Sequence, residues 1–192
     1  ARMTVGYSPA MIQNTVNEAL LFALQDGRDA LRWDDLWQAK LSGEIGLKQP
    51  VKYNPREKEM VAVHEAAHAV ASYTLERGEL QIQVITIQKR EGAPGLVHGQ
   101  EVEDRYLTTK GTLMDQMAMT LGGRAAEELV FNEVTTGAAN DLEKVTSTAK
   151  SMIMRFGMSE KLGPRVLGRN HDMPFLGREM GAEPDYSEEI AK

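Results

Sequence analysis

One helical stretch organises this 192-residue chain: Val63-His64-Glu65-Ala66-Ala67-His68-Ala69. Four residues turn an α-helix through roughly 400°, so His64 and His68 leave the same face about 6 Å apart along the axis. Two neutral imidazoles at this spacing can bind one Zn²⁺. Glu65 is rotated roughly 100° from His64 and can act as a general base on a water molecule that the metal activates. The motif therefore predicts a catalytic zinc site on a helix.

The sequence around this motif favours a helix. Asn54 can cap its start, Pro55 suits its first position, and Gly78 can end it. Apolar residues recur between these ends and predict a buried face: Met60, Val61, Val63, Ala67, Val70, Ala71 and Leu75. The alternative is a core helix whose two histidines are satisfied by hydrogen bonds.

Composition limits the possible functions. The formal net charge of −6 argues against a general nucleic-acid binder, so we expect no nucleic-acid partner. Because there is no cysteine, disulfides and thiolate zinc ligands are excluded, and the ligands must be histidines and carboxylates. No apolar run reaches the 18 or so residues that span a bilayer, and we expect no signal peptide. The two ends of the sequence suggest a fragment, which we expect to be soluble, and a membrane anchor could lie outside it.

The chain before the motif predicts a small helical unit. Ser8-Pro9 begins a helix that runs to Gly27, and a second short helix extends from about Trp33 to Gly43. Two helices bury little by themselves, so we expect this unit to pack on something else. Residues 46–50 read as a linker, which places one unit at 1–46 and a larger one at 47–192.

A short hairpin is predicted after the motif. Residues 80–87 alternate as a half-buried strand, 91–95 form a turn, and Leu96-Val97-His98 can return as a second strand. An exposed strand edge near a metal site could hold an extended peptide, although a hairpin that only closes the core fits equally well. We expect His98 at the surface rather than as a ligand.

Helices dominate the rest of the chain. A helix is expected from Thr109 to about Leu121, and Gly122-Gly123 either permit close backbone packing or break that helix before it resumes. A loop from Val134 then enters a helix that continues to Gly157. Beyond Leu162 the glycine and proline content predicts irregular structure, with His171 in solvent. The fold class is therefore mainly α.

A catalytic zinc site usually has three protein ligands and an open position. The candidates for the third ligand are Glu127 and Glu128 on a later helix and Asp141 at the loop-to-helix junction. Spacing does not choose among them. Each also has a structural explanation. Glu127 and Glu128 could be solvated helix charges, and Asp141 could be a first-turn charge favoured by the helix dipole.

Three further motifs carry a family resemblance: residues 121–128, 135–142 and 156–164. They resemble the peptidase domain of the FtsH family of membrane-anchored AAA+ zinc proteases. Gly6-Tyr7-Ser8 with the following Val16-Asn17-Glu18-Ala19 looks like the helical lid at the end of that family's ATPase domain. The resemblance covers nearly the whole chain and implies a helical zinc-peptidase domain with a small sheet, truncated at its C-terminus and preceded by the lid.

The resemblance implies a role for each site residue. His64, His68 and Asp141 become the zinc ligands, and Glu65 becomes the catalytic base. Glu127 and Glu128 become supporting charges, together with Arg124. The family usually has glycine where this chain has Ala67, which adds one methyl group but removes no ligand.

The resemblance also implies properties of a longer protein. These are a homohexamer, an ATPase module that uses ATP and Mg²⁺, and a membrane anchor with the peptidase on the cytoplasmic side of the cell membrane. Its polypeptide substrates would be misassembled membrane proteins and short-lived cytoplasmic proteins. Two alternatives from other classes are a structural-zinc assembly module and a metal-free oligomerisation domain.

Overall fold

The computed structural model describes residue 4 and residues 6–75, 80–90, 94–101 and 106–167. Within these residues the chain forms five α-helices and one two-stranded antiparallel sheet. The elements are α1 (Pro9–Gln25), α2 (Trp33–Ile45), α3 (Pro55–Leu75), β1 (Leu80–Thr86), β2 (Leu96–Glu101), α4 (Lys110–Phe131) and α5 (Ala139–Met154). The expectation of a mainly α chain with a small hairpin is confirmed.

Helix α3 carries the His-Glu-x-x-His motif and begins where the sequence predicts. Asn54 Oδ1 accepts a hydrogen bond from the Glu57 backbone N–H at 2.9 Å, and Pro55 is the first helical residue. The predicted apolar face was wrong for Val70, which is 62% exposed. The buried residues of the helix are instead His64, Glu65, Ala69 and Ser72, because α3 turns its motif inward. Gly78 lies outside the described residues.

Helix α4 passes through Gly122-Gly123 without a break, so the predicted interruption was wrong. A Cβ atom added at Gly122 would lie 3.1 Å from the main-chain oxygen of Ala67 on α3. The second glycine similarly faces His64. The alternative expectation, close packing of another backbone, is therefore confirmed. This packing of α3 against α4 accommodates two poor helix formers inside one helix.

The hairpin lies between α3 and α4 in the chain. Leu80 pairs with Glu101 and Thr86 with Leu96, with an irregularity between Ile82 and Val84. His98 is partly exposed, with 21% of its side-chain surface accessible, and it is not one of the described residues that could hold a metal ion. Its Nε2 atom is 3.0 Å from Glu44 Oε2 on α2. Of the predicted turn at 91–95, only Pro94 and Gly95 lie within the described residues.

Helices α1 and α2 form the expected small helical unit. Ala19 and Ala23 are buried on α1, and Arg28 binds both carboxylate oxygens of Asp35 at 2.6 and 2.7 Å. Apolar residues on another part of α1 remain exposed: Ile12, Val16, Leu20 and Leu24. Polar contacts cross the predicted boundary after residue 46, for example from Lys40 Nζ to Gln83 Oε1 at 3.2 Å. The division into units at 1–46 and 47–192 stays a prediction.

A single 3₁₀ turn, Thr136–Ala138, leads into α5 and places Asp141 in the first turn of that helix. The loop-to-helix junction predicted from the sequence is therefore present, although α5 ends at Met154 rather than Gly157. Met152 is buried on α5. Among the described residues, none of the helices combines the length and the apolar character needed to cross a bilayer. His171 lies outside the described part of the chain.

Candidate metal centre

Three ligand atoms from two helices converge at one point. His64 Nε2 and His68 Nε2, both on α3, lie 3.0 Å apart. Each is 3.2 Å from Oδ2 of Asp141 on α5. The four-residue spacing on α3 brings the two imidazoles together, and the first turn of α5 brings the carboxylate. Among the described residues, these three form the cluster that could hold a metal ion.

The other ring nitrogen of each histidine has its own acceptor. His68 Nδ1 lies 3.0 Å from the main-chain oxygen of Met119, which can only accept a hydrogen bond. His64 Nδ1 lies 2.6 Å from Glu127 Oε1. The same carboxylate accepts from the backbone N–H of Thr135 at 2.7 Å and from its hydroxyl at 3.1 Å. Both Nδ1 atoms therefore donate, which leaves both Nε2 lone pairs facing Asp141 in the neutral rings.

This arrangement fits a zinc ion. Three lone-pair atoms within 3.2 Å of one another repel unless a positive charge lies between them. Tetrahedral zinc with bonds of about 2.0–2.1 Å separates its ligand atoms by about 3.3–3.4 Å, close to the observed spacing. Metal-binding histidines typically donate their second N–H to a carboxylate or a backbone carbonyl, and both types of acceptor are present.

The electrostatics of the cluster also favour a cation. Burial would raise the pKa of Asp141, but its contacts with the imidazoles of His64 and His68 outweigh it and hold that pKa far below its usual range. Burial lowers the pKa of each histidine, but contacts with Asp141, together with Glu127 at His64 and the Met119 carbonyl at His68, outweigh it and raise the pKa of both rings. The carboxylate is thus ionised at neutral pH and stabilises positive charge at the two Nε2 atoms.

Glu65 follows His64 on α3 and is 5% exposed. Burial raises the pKa of its carboxyl group above the ordinary value, and the neighbouring imidazoles of His68 and His64 oppose this shift. Glu65 lines the same cleft as His64, His68 and Asp141. A buried carboxylate with a raised pKa beside a metal site is suited to accept and return a proton.

The cleft has a volume of about 540 Å³ and lies between α3, β2, α4 and α5. Its floor is the metal cluster and Glu65. Strand β2 forms one wall through Leu96, Val97 and Gly99. Other lining residues come from the two later helices and include Met117, Thr120, Asn140, Lys144 and Val145. The cleft is large enough for several residues of an extended peptide, and both apolar and polar groups line it.

The structure distinguishes Glu127 from Glu128, the two glutamates that the sequence left as candidates for the third ligand. Glu127 is 2% exposed and contacts His64, although it is not one of the three converging ligands. Glu128 points elsewhere and pairs with Arg124 Nε at 2.9 Å on the exposed side of α4. Arg124 therefore contacts Glu128 rather than the metal cluster. Neighbouring residues on a helix point in different directions. Sequence spacing does not show which of the two directions faces the metal cluster, because that depends on how α4 packs.

Two glycines lie against the motif and were not assigned a site role from the sequence. A Cβ atom at Gly123 would be 2.5 Å from both Cε1 and Nε2 of His64, so only glycine leaves room for this ring. A Cβ atom at Gly95 would be 2.6 Å from Cγ and Oε1 of Glu65. The glycine pair in α4 was a usable signal for close approach, but Gly95 had no comparable one.

A helix-borne His-Glu-x-x-His motif with a third carboxylate and a buried glutamate defines the zinc metalloprotease class of site. Residues 51–192 match the model of peptidase family M41, and residues 1–36 match that of the AAA+ lid domain. The chain belongs to peptidase family M41.

The curated relatives agree with this assignment. The chain is 46% identical to ATP-dependent zinc metalloprotease FtsH 1 of Conexibacter woesei, with all of this chain and 29% of the relative covered. It is 42% identical to the FtsH protein of Pseudothermotoga lettingae and 41% identical to that of Thermotoga maritima, covering 31% and 32% of those proteins. The chain thus spans less than a third of the length of these relatives. The resemblance inferred from the three motifs is confirmed.

Proposed function

We propose that this chain hydrolyses peptide bonds in unfolded polypeptides, with zinc held by His64, His68 and Asp141 and with Glu65 as the general base. The observation that supports this most directly is the convergence of three ligand atoms, all within 3.2 Å of one another, beside a buried carboxylate. The family membership supports the same reaction class.

Zinc bound to this cluster would supply Lewis-acid activation by lowering the pKa of a coordinated water to about 7. Asp141 and the two Nε2 atoms would hold the ion, and Glu127 and Met119 fix the rings that present those atoms. Glu65 would take a proton from the water as it attacks the scissile carbonyl carbon. Its carboxylic acid would then protonate the leaving amide nitrogen, so no covalent link to the protein forms.

Strand β2 is suited to align the substrate. It forms a wall of the cleft, and in the described sheet it has one strand partner, β1. An extended peptide can pair with the backbone of such a strand regardless of its side chains. This would give the weak sequence preference expected of an enzyme that degrades many unfolded chains.

We further propose that the longer protein couples this site to an ATPase. Residues 1–36 match the AAA+ lid domain, and the relatives named above are described as ATP-dependent zinc metalloproteases. ATP and Mg²⁺ would bind in an ATPase module outside this chain. A homohexameric ring, anchored in the membrane with the peptidase on the cytoplasmic side, would deliver misassembled membrane proteins and short-lived cytoplasmic proteins to the cleft.

A Glu65→Gln variant tests the peptidase proposal. The zinc-loaded chain is incubated with a quenched fluorescent unfolded polypeptide, and bound zinc is measured in parallel. Because the base is lost and the ligands remain, we expect hydrolysis to fall about 100- to 10,000-fold at unchanged zinc content. Glu59→Gln, an exposed change on the same helix, is the matched control and should retain activity. Equal hydrolysis by wild type and Glu65→Gln would contradict the role of Glu65 as the base, and bound zinc without hydrolysis in either protein would indicate a structural-zinc module.

A further inference from the structure

The orientation of Glu65 depends on packing. Its pKa is set by burial and by the charges around it, and the hydrogen bonds of the described residues do not include one to its carboxylate. The backbone of Gly95 lies directly against the side chain, since a Cβ atom there would be 2.6 Å from Cγ and Oε1. The position of this backbone therefore limits the rotamers of Glu65.

Tyr53 anchors that backbone. Its hydroxyl donates a hydrogen bond of 2.5 Å to the carbonyl oxygen of Pro94, the residue directly before Gly95. Tyr53 precedes the N-cap of α3, so the bond joins the entrance of the motif helix to the start of β2 across 41 residues. Burial and the negative charges of Glu57 and Glu65 raise the pKa of Tyr53, so the phenol keeps its proton and remains a donor.

We infer that Tyr53 is a positioning residue for the catalytic base: its hydrogen bond to Pro94 holds the Gly95 backbone against Glu65 and limits the carboxylate to its orientation toward the cleft. Without this bond, the start of β2 can move away from α3 and Glu65 gains alternative rotamers. Zinc binding does not depend on the contact, because none of the three ligands touches Tyr53 or Pro94 in the described hydrogen bonds. This inference rests on the proposed function.

The test compares Tyr53→Phe with Tyr73→Phe in the zinc-loaded 192-residue chain. Tyr73 lies on α3, is 84% exposed, and serves as a matched control for the loss of one hydroxyl. We expect kcat for a quenched fluorescent peptide to fall about tenfold in Tyr53→Phe, since small displacements of a catalytic group strongly slow the reaction. KM, zinc content and the thermal unfolding midpoint should remain close to the wild-type values.

Hydrogen–deuterium exchange provides a readout that does not need hydrolysis. Exchange of the peptide covering residues 94–101 should be several-fold faster in Tyr53→Phe and unchanged in Tyr73→Phe. Gly95→Ala is a second variant that displaces Glu65 directly, and it should also lower kcat at unchanged zinc content.

Three results would overturn the inference: unchanged exchange, unchanged kcat despite faster exchange, or a change confined to KM. In each of these cases an active wild type leaves the peptidase proposal intact. A zinc-loaded wild type that cleaves no faster than Glu65→Gln would overturn the peptidase proposal and, with it, the role of Tyr53.

Discussion

Nδ1 of His64 lies 2.6 Å from Oε1 of Glu127, a residue 63 positions later in the chain. The glutamate is almost completely enclosed on α4 and also accepts two hydrogen bonds from Thr135. A single carboxylate thus orients the first histidine of the motif and the loop that leads to α5. It connects the elements that supply the metal ligands.

Glu127→Gln should weaken zinc binding about 10- to 100-fold, the usual effect of losing a carboxylate partner of a metal-binding histidine. The glutamine amide has only one acceptor oxygen, whereas His64 and Thr135 together present three donors. Competition with a chromophoric zinc chelator measures the affinity. Glu128→Gln, which changes the exposed neighbour, is the control. Equal affinities of the two variants would show that the buried contact does not support the metal site.

Asp141→Ala should remove a metal ligand. We expect about one zinc per chain in the wild type, and about 100-fold or more weaker retention in a folded variant. Elemental analysis after dialysis measures the zinc, and circular dichroism checks the fold. Glu143→Ala, an exposed change on the same helix, should keep its zinc. If Asp141→Ala retained zinc as well as the wild type, the third ligand would have to be another residue.

Gly123→Ala should disturb the metal site by steric contact alone. The added methyl group would lie 2.5 Å from the His64 ring and must displace it. Overpacking of this kind lowers the free energy of unfolding by roughly 1–3 kcal/mol, and the displaced ring should bind zinc less well. Urea unfolding of the metal-free protein and zinc titration measure the two effects.

The control for that prediction is Gly111→Ala on the same helix. Its nearest contact would be 3.8 Å, an ordinary van der Waals distance, so we expect a change within about 0.5 kcal/mol. Similar losses of stability in both alanine variants would point to a general effect of helix substitution rather than to contact with His64.

Asp35 should make the stability of the helical unit depend on acidic pH. Hydrogen bonds from Arg28 and from the Arg32 backbone lower its pKa from 3.8 to about 2. Because the folded-state pKa is the lower one, the ionised group stabilises the fold above about pH 4, and this contribution is lost as the pH falls through about 2. Asp35→Asn should therefore reduce the free energy of unfolding at neutral pH, with a difference from wild type that shrinks between about pH 4 and pH 2.

Urea unfolding of the metal-free protein across this pH range checks the effect. Asp34→Asn, an exposed change in the same helical turn, should show no such pH-dependent difference. A difference between Asp35→Asn and wild type that stays constant from neutral pH to about pH 2 would contradict the assignment.

Local signals predicted the parts of the fold that depend on neighbouring residues. Asn54 and Pro55 located the start of α3, and Ser8 located that of α1. The paired glycines were ambiguous because isolated helix propensity disfavours them, whereas packing against α3 requires them. Helix propensity depends on neighbouring residues in the chain. The need for glycine arises only when α4 packs against α3.

The sequence by itself determined that His64 and His68 share one face of a helix with Glu65 beside them, since four residues of helical rotation are a local property. Only the tertiary structure decided that Asp141 completes the cluster, that Glu127 orients His64, and that Gly95 lies against Glu65. These contacts join residues far apart in the chain. Their geometry follows from how α3, α4, α5 and β2 pack, and sequence spacing places no limit on it.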